Sequence, residues 1–190
     1  MRVALVNNGT KKPEKLLQLL RDHTVTVFDT SNALDITEDD FDLIVLSGSS
    51  RFPIDKNEWL LLPEIDLIKS SKLPIIGICY GCELIVRAFG GSLIDHGEES
   101  KERDLVRVDV VDDDPIFSGR KDFDAYDAHR WVIASLSQEF KVLARSVHGP
   151  EIIRHSIKPL FGFQFHPEKM ADQSFGDDVF FALLKSLARG

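Results

Sequence analysis

Ile75-Ile76-Gly77-Ile78-Cys79-Tyr80-Gly81-Cys82-Glu83 joins an apolar run to a helical one with a single cysteine at the junction. Residues 73–78 are apolar throughout apart from Pro74 and Gly77, as in a strand buried on both faces of a parallel sheet. The helical stretch reaches Phe89 and is stopped by Gly90-Gly91. Gly77-x-Cys79-x-Gly81 has the spacing of the G-x-S-x-G nucleophile elbow. In such a turn the flanking glycines remove side chains that would clash, and the nucleophile projects above the carboxyl end of the sheet. The helix N-terminus is expected to favour the Cys79 thiolate, and the Tyr80 amide could bind an oxyanion. A cysteine after a core strand is also often just a small buried hydrophobe. Cys82 shares a helical face with Ile85 and Phe89 and is expected in the core. The Cys79-x-x-Cys82 spacing also matches a redox dithiol. A zinc site needs about four ligands, and the chain has no second paired cluster.

Outward from this elbow, strands and helices alternate. Residues 3–7, 24–28 and 41–46 read as strands; residues 13–20 and 57–70 read as helices, with Pro63 a candidate kink in the second. Alternation of this kind predicts an α/β fold with a parallel sheet and helices on both faces. After the elbow helix the pattern changes. Residues 104–111, 123–126, 140–145, 151–155 and 160–165 read as strands joined by short turns, and residues 173–188 as a closing helix. The later strands are expected to form hairpins that extend the sheet.

The 190 residues suit one domain over 1–190. Lys and Arg number 23 against 31 Asp and Glu, a net charge of −8 that disfavours nucleic-acid binding. No apolar run approaches the roughly 20 residues of a membrane span, and the N-terminus enters a strand pattern at once, with no visible signal peptide. Two cysteines cannot build a disulfide framework. A soluble, cytoplasmic protein is expected, with no nucleic-acid or membrane partner.

A thiol nucleophile needs a base, and the base an orienting group. Among six histidines, His166 directly follows the strand read over 160–165 and precedes Pro167-Glu168. A strand-end His sits on the same rim as Cys79. Glu168 is near enough to take a hydrogen bond from its ring.

Gly77-Ile78-Cys79-Tyr80-Gly81 together with Phe163-Gln164-Phe165-His166-Pro167-Glu168 resembles the class I glutamine amidotransferases. The likeness spans nearly the whole chain, including Asn7-Asn8-Gly9, Ser47-Gly48 and Asp114-Pro115-Ile116-Phe117. Within the family it is nearest to the amidotransferase component of GMP synthetase. The resemblance implies a flavodoxin-like, largely parallel sheet and a Cys79–His166–Glu168 triad acting on glutamine. Cys79 would attack the side-chain amide, His166 would move the proton, and Glu168 would orient His166. The amide of Tyr80 and one from Gly48–Ser49 would hold the oxyanion. Glu83 and His129 would bind substrate. Neither a cofactor nor a metal is implied. No P-loop is present, so ammonia transfer would need an ATP-dependent synthetase subunit in trans.

Three positions depart from the family pattern. Glu83 stands where the family usually has Gln. Ser47-Gly48-Ser49-Ser50 replaces Ser-Gly-Gly-Pro. Asp127-Ala128-His129-Arg130-Trp131 keeps only the histidine of Ser-His-Gly-Asp. Glu83 and Lys169 resemble the γ-glutamyl hydrolase branch, so a free-standing γ-glutamyl hydrolase stays open. The altered loops leave open a catalytically silent binding domain.

Overall fold

The computed structural model describes residues 1–49, 51–97, 104–169 and 175–188. Eleven strands are present among them: β1 (Arg2–Asn7), β2 (Thr24–Asp29), β3 (Leu43–Leu46), β4 (Ile75–Ile78), β5 (Ser92–Asp95), β6 (Asp104–Val110), β7 (Asp122–Asp127), β8 (Trp131–Ser135), β9 (Phe140–Ser146), β10 (Gly149–His155) and β11 (Leu160–Phe163). Four α-helices accompany them: α1 (Pro13–Leu19), α2 (Leu62–Ser70), α3 (Tyr80–Ala88) and α4 (Gly176–Leu187). The closing helix read over 173–188 corresponds to α4, and residues 173 and 174 lie outside the described residues.

Nine strands form one sheet in the order β2-β1-β3-β4-β11-β10-β9-β6-β7. The pairings from β2 to β11 are parallel, and those from β11 to β7 antiparallel. The expected parallel sheet and its hairpin extension are thus halves of one surface. Alternation along β1 shows how both faces are covered. Val3 and Leu5 pack with Leu16 and Leu19 of α1 and with Phe180 and Leu183 of α4. Ala4 and Val6 pack on the opposite face with Ile65 and Ile68 of α2 and Leu84 and Ile85 of α3. Strands buried on both faces have no polar side chain to alternate, which is why β3 and β4 read as continuous apolar runs. At the antiparallel edge, β7 buries Phe123, Ala125 and Asp127 and leaves the intervening residues half-buried.

Three local expectations are corrected. Pro63 does not kink a helix: a 3-10 turn over Glu58–Leu61 precedes α2, and Pro63 lies in the first turn of α2, where its missing N–H costs no bond. The strand read over 160–165 ends at Phe163. Beyond it, the Gln164 N–H bonds to Glu151 O at 2.8 Å and the His166 N–H to Tyr126 O at 2.9 Å. The strands β5 and β8 were not foreseen. They pair antiparallel as a separate two-stranded sheet, with Ser92 and Ser135 hydroxyls 2.6 Å apart and Arg130 paired with Asp95.

Candidate active site

β4 lies between β3 and β11, with Leu46 opposite Gly77 and Phe163 opposite Ile78. All three strands run parallel, so the segments after their carboxyl ends converge: 47–49, Cys79 and 164–168. A crevice at this end of a parallel sheet is where α/β proteins place ligands.

Cys79 forms the junction. Its backbone has φ 50° and ψ −103°, a conformation that costs a non-glycine residue roughly 1–3 kcal/mol. The glycines on either side are sterically required. A Cβ on Gly77 would fall 2.4 Å from Gly81 O, and one on Gly81 would fall 2.5 Å from Leu46 O. The Cys79 N–H bonds to Phe163 O at 2.7 Å, fixing the elbow to β11. Cys82 is fully buried, and a Cβ on Gly162 would lie 2.5 Å from its sulfur. Both cysteines are free.

His166 and Glu168 meet at 2.8 Å between Nδ1 and Oε1. A Cβ on Gly48 would stand 3.2 Å from His166 Cε1 and 3.7 Å from Cys79 Cβ. Gly48 therefore packs against both residues, and a side chain there would wedge between them. Burial pushes the Glu168 carboxyl up, but the charge and hydrogen bond of His166 outweigh it and hold Glu168 below its ordinary value.

The Gly48 segment is tied down from behind. The Ser47 hydroxyl donates to Gly48 O at 2.8 Å and accepts the Asn8 N–H at 2.9 Å. Asn8 Nδ2 donates to Ser47 O at 3.1 Å and to Glu64 Oε1 at 3.0 Å. Tyr80 is the first residue of α3, so its N–H is among those a helix leaves without an internal acceptor.

A pocket of about 240 Å³ opens over Cys79, Tyr80 and Glu83. Ser49 lines one wall and His129 the other. Its volume is below the roughly 300–1,000 Å³ of sites for drug-sized ligands and suits an amino acid better. Glu83 is 4% exposed and accepts from Gln164 Nε2 at 3.1 Å. Burial pushes its carboxyl up to about 7, against the pull of the Gln164 bond, His129 and His166. Every residue expected at the site thus borders this pocket or packs beside it.

The expectation of an easily ionised thiol is reversed. Burial pushes Cys79 well above its ordinary value, and Glu83, Glu168 and Asp127 push in the same direction. A helix N-terminus offers only roughly 0.3–1 kcal/mol against them. Glu151, Gln164 and Glu64 also stand close to the site and were not anticipated from the sequence. The signal for Glu151 and Glu64 was a lone carboxylate on a face otherwise apolar, in Glu151-Ile152-Ile153 and in Glu64-Ile65 with Ile68.

A family model described as glutamine amidotransferase class-I matches residues 4–185. The chain belongs to the class I glutamine amidotransferase family. One component of the two-part, glutamine-hydrolysing GMP synthase of Pyrococcus abyssi is 35% identical over 138 residues, covering 72% of this chain and 70% of that protein. Its counterpart in Methanobrevibacter smithii is 29% identical over 174 residues, covering 88% and 87%. A glutamine amidotransferase structure from Thermotoga maritima shares the fold at TM-score 0.78 and 16% identity, over 100% of this chain and 99% of that one. The elbow and the His-Pro-Glu segment that carried the family resemblance are the two segments that converge beside β4 here.

Proposed function

We propose that this chain is one amidotransferase domain over 1–190 that hydrolyses glutamine and supplies ammonia to an ATP-dependent synthetase subunit, as in a two-part GMP synthase. The observation that carries the reading is the elbow cysteine facing the His166–Glu168 pair across Gly48, in a chain about a third identical to components of glutamine-hydrolysing GMP synthases.

Cys79 forms a bond from sulfur to the side-chain carbonyl carbon of glutamine. Its thiol rests protonated, so His166 takes the proton as the bond forms. The N–H groups of Tyr80 and of Gly48 or Ser49 hold the oxyanion. His166 returns the proton to the departing nitrogen, and ammonia leaves. Water, deprotonated by His166, then cleaves the γ-glutamyl thioester to give glutamate and the free thiol. Glu168 keeps the His166 ring oriented throughout. Glu83 and His129 bind the substrate from the pocket floor and wall. No step calls for a cofactor. Among the described residues no helix is long and apolar enough to cross a membrane, which fits a cytoplasmic enzyme.

Glu83 supports a second reading, cleavage of γ-glutamyl peptides by the chain alone. Ammonia release from glutamine, measured with and without a synthetase subunit, ATP and nucleotide acceptor, separates the two. Ammonia formation that rises with the partner is expected. Efficient γ-glutamyl peptide cleavage without it, or no ammonia in its presence, would overturn the first reading.

A further inference from the structure

One cluster of buried titratable groups takes no part in the bond-making steps above. Asp127 at the end of β7, His129 just beyond it and Glu151 in β10 each bring one polar atom to within 4.8 Å of the others. They are 4%, 7% and 1% exposed. His129 Nε2 lies 3.0 Å from Asp127 Oδ1, which also accepts the His129 backbone N–H at 3.3 Å. Glu151 Oε1 accepts from the Ser146 hydroxyl at 2.6 Å, and Glu151 Oε2 has no hydrogen-bond partner among the described residues.

A zinc ion would fit this cluster poorly. Tetrahedral bonds of about 2.1 Å hold ligand atoms about 3.4 Å apart. The Asp127–His129 contact is closer, at the distance of a direct ion pair. The cluster instead behaves as a charge clamp on His129. Burial favours the neutral ring, yet Asp127, Glu151 and Glu83 outweigh it, and His129 holds its proton above its ordinary value. Glu83 reaches it from α3, and the His148 ring of the β9–β10 turn stands edge-on with centroids 6.4 Å apart. Burial and Asp127 push Glu151 up to about 7, while His129 pulls it down.

This arrangement matters for the substrate. A free amino acid brings a carboxylate into the pocket, and Glu83 on the pocket floor repels it. A protonated His129 in the pocket wall supplies the opposite charge. We propose that Asp127 and Glu151 are positioning residues that keep the His129 ring protonated and fixed at the pocket wall, where it holds the α-carboxylate of the substrate. The proposal rests on glutamine being the substrate, and its first test does not.

That first test is the NMR titration of the His129 ring in wild type, Asp127→Asn and Glu151→Gln. The midpoint should fall by about one pH unit or more in Asp127→Asn, and by less in Glu151→Gln. An unchanged midpoint overturns the proposal whether or not the protein hydrolyses glutamine. The second test is glutamine hydrolysis with the synthetase subunit present. Asp127→Asn should raise KM about tenfold near pH 8, where its His129 has lost the proton, and by less than about threefold near pH 6, with kcat little changed. Asp127→Asn should add nothing in a His129→Ala background. A KM rise that is the same at both pH values, a further loss in the His129→Ala background, or a KM that responds to Arg51→Ala on the opposite wall but not to Asp127→Asn would each overturn it. Failure of wild type to hydrolyse glutamine, with the titration as expected, would count against the proposed substrate alone.

Discussion

Replacing Glu64 by Gln should stabilise the protein, and increasingly so as pH rises. Glu64 lies on α2 and is wholly buried behind the Gly48 segment. Its Oε1 accepts from Asn8, but Oε2 has no partner among the described residues, and neither do Asn8 Oδ1 and the Tyr80 hydroxyl. Burial pushes the carboxyl up to about 8 from an ordinary value of 4.5, against the pull of the Asn8 bond. The folded state therefore binds the proton more tightly than the unfolded chain. Stability from this group is full below pH 4.5 and is lost as pH climbs toward 8. At about 1.4 kcal/mol per unit, the loss is of order 3 kcal/mol by pH 7 and 4–5 kcal/mol once Glu64 is ionised. Gln is nearly isosteric, keeps the acceptor for Asn8 and adds an N–H donor beside two unpaired oxygens. Urea unfolding at a series of pH values measures the difference. With m of about 2 kcal/mol/M, the midpoint of Glu64→Gln should exceed wild type by about 1 M or more at pH 8. The gap should close near pH 4.5. Equal midpoints at pH 8, or a gap that does not vary with pH, would refute the reasoning.

Other substitutions test the site. His166→Ala should lose more glutamine turnover than Glu168→Gln, because the first removes the proton carrier, worth about 10²–10⁴-fold, and the second only its orienting bond; a near-neutral His166→Ala would mean another base. Gly77→Ala should destabilise by roughly 1–3 kcal/mol or more in thermal unfolding, since its Cβ would meet the Gly81 backbone at 2.4 Å and that carbonyl has no room to move. Glu83→Gln should keep or raise glutamine hydrolysis and remove a titration near pH 7 from its pH profile; a loss confined to γ-glutamyl peptide cleavage would favour the hydrolase reading.

The parts of this protein that were legible in its sequence are those where one residue type satisfies a steric demand. Gly77 and Gly81 bracket Cys79 because nothing larger fits against Gly81 O and Leu46 O. β3 and β4 read clearly because burial on both faces leaves them apolar. His166 and Glu168 were legible because they are two residues apart and bond locally. What stayed hidden depends on residues far apart in the chain. Glu151 meets His129 only once β10 lies beside the β7 end of the sheet, and Glu64 meets Asn8 across 56 positions. The ionisation of Cys79 was misread for the same reason. The helix N-terminus is visible locally, whereas the burial and the three carboxylates that outweigh it come from packing. β5 and β8 escaped because each is short, and they pair with one another outside the main sheet.

The central claim is that Cys79 is the nucleophile of a glutamine-hydrolysing enzyme. A glutamine-like diazo-ketone, which alkylates a thiol that attacks its carbonyl region, tests it most directly when followed by peptide mass mapping with glutamine as competitor. Labelling at Cys79 that glutamine suppresses and that His166→Ala abolishes is the predicted result. Labelling at Cys82, or labelling at Cys79 that glutamine does not slow, would contradict it.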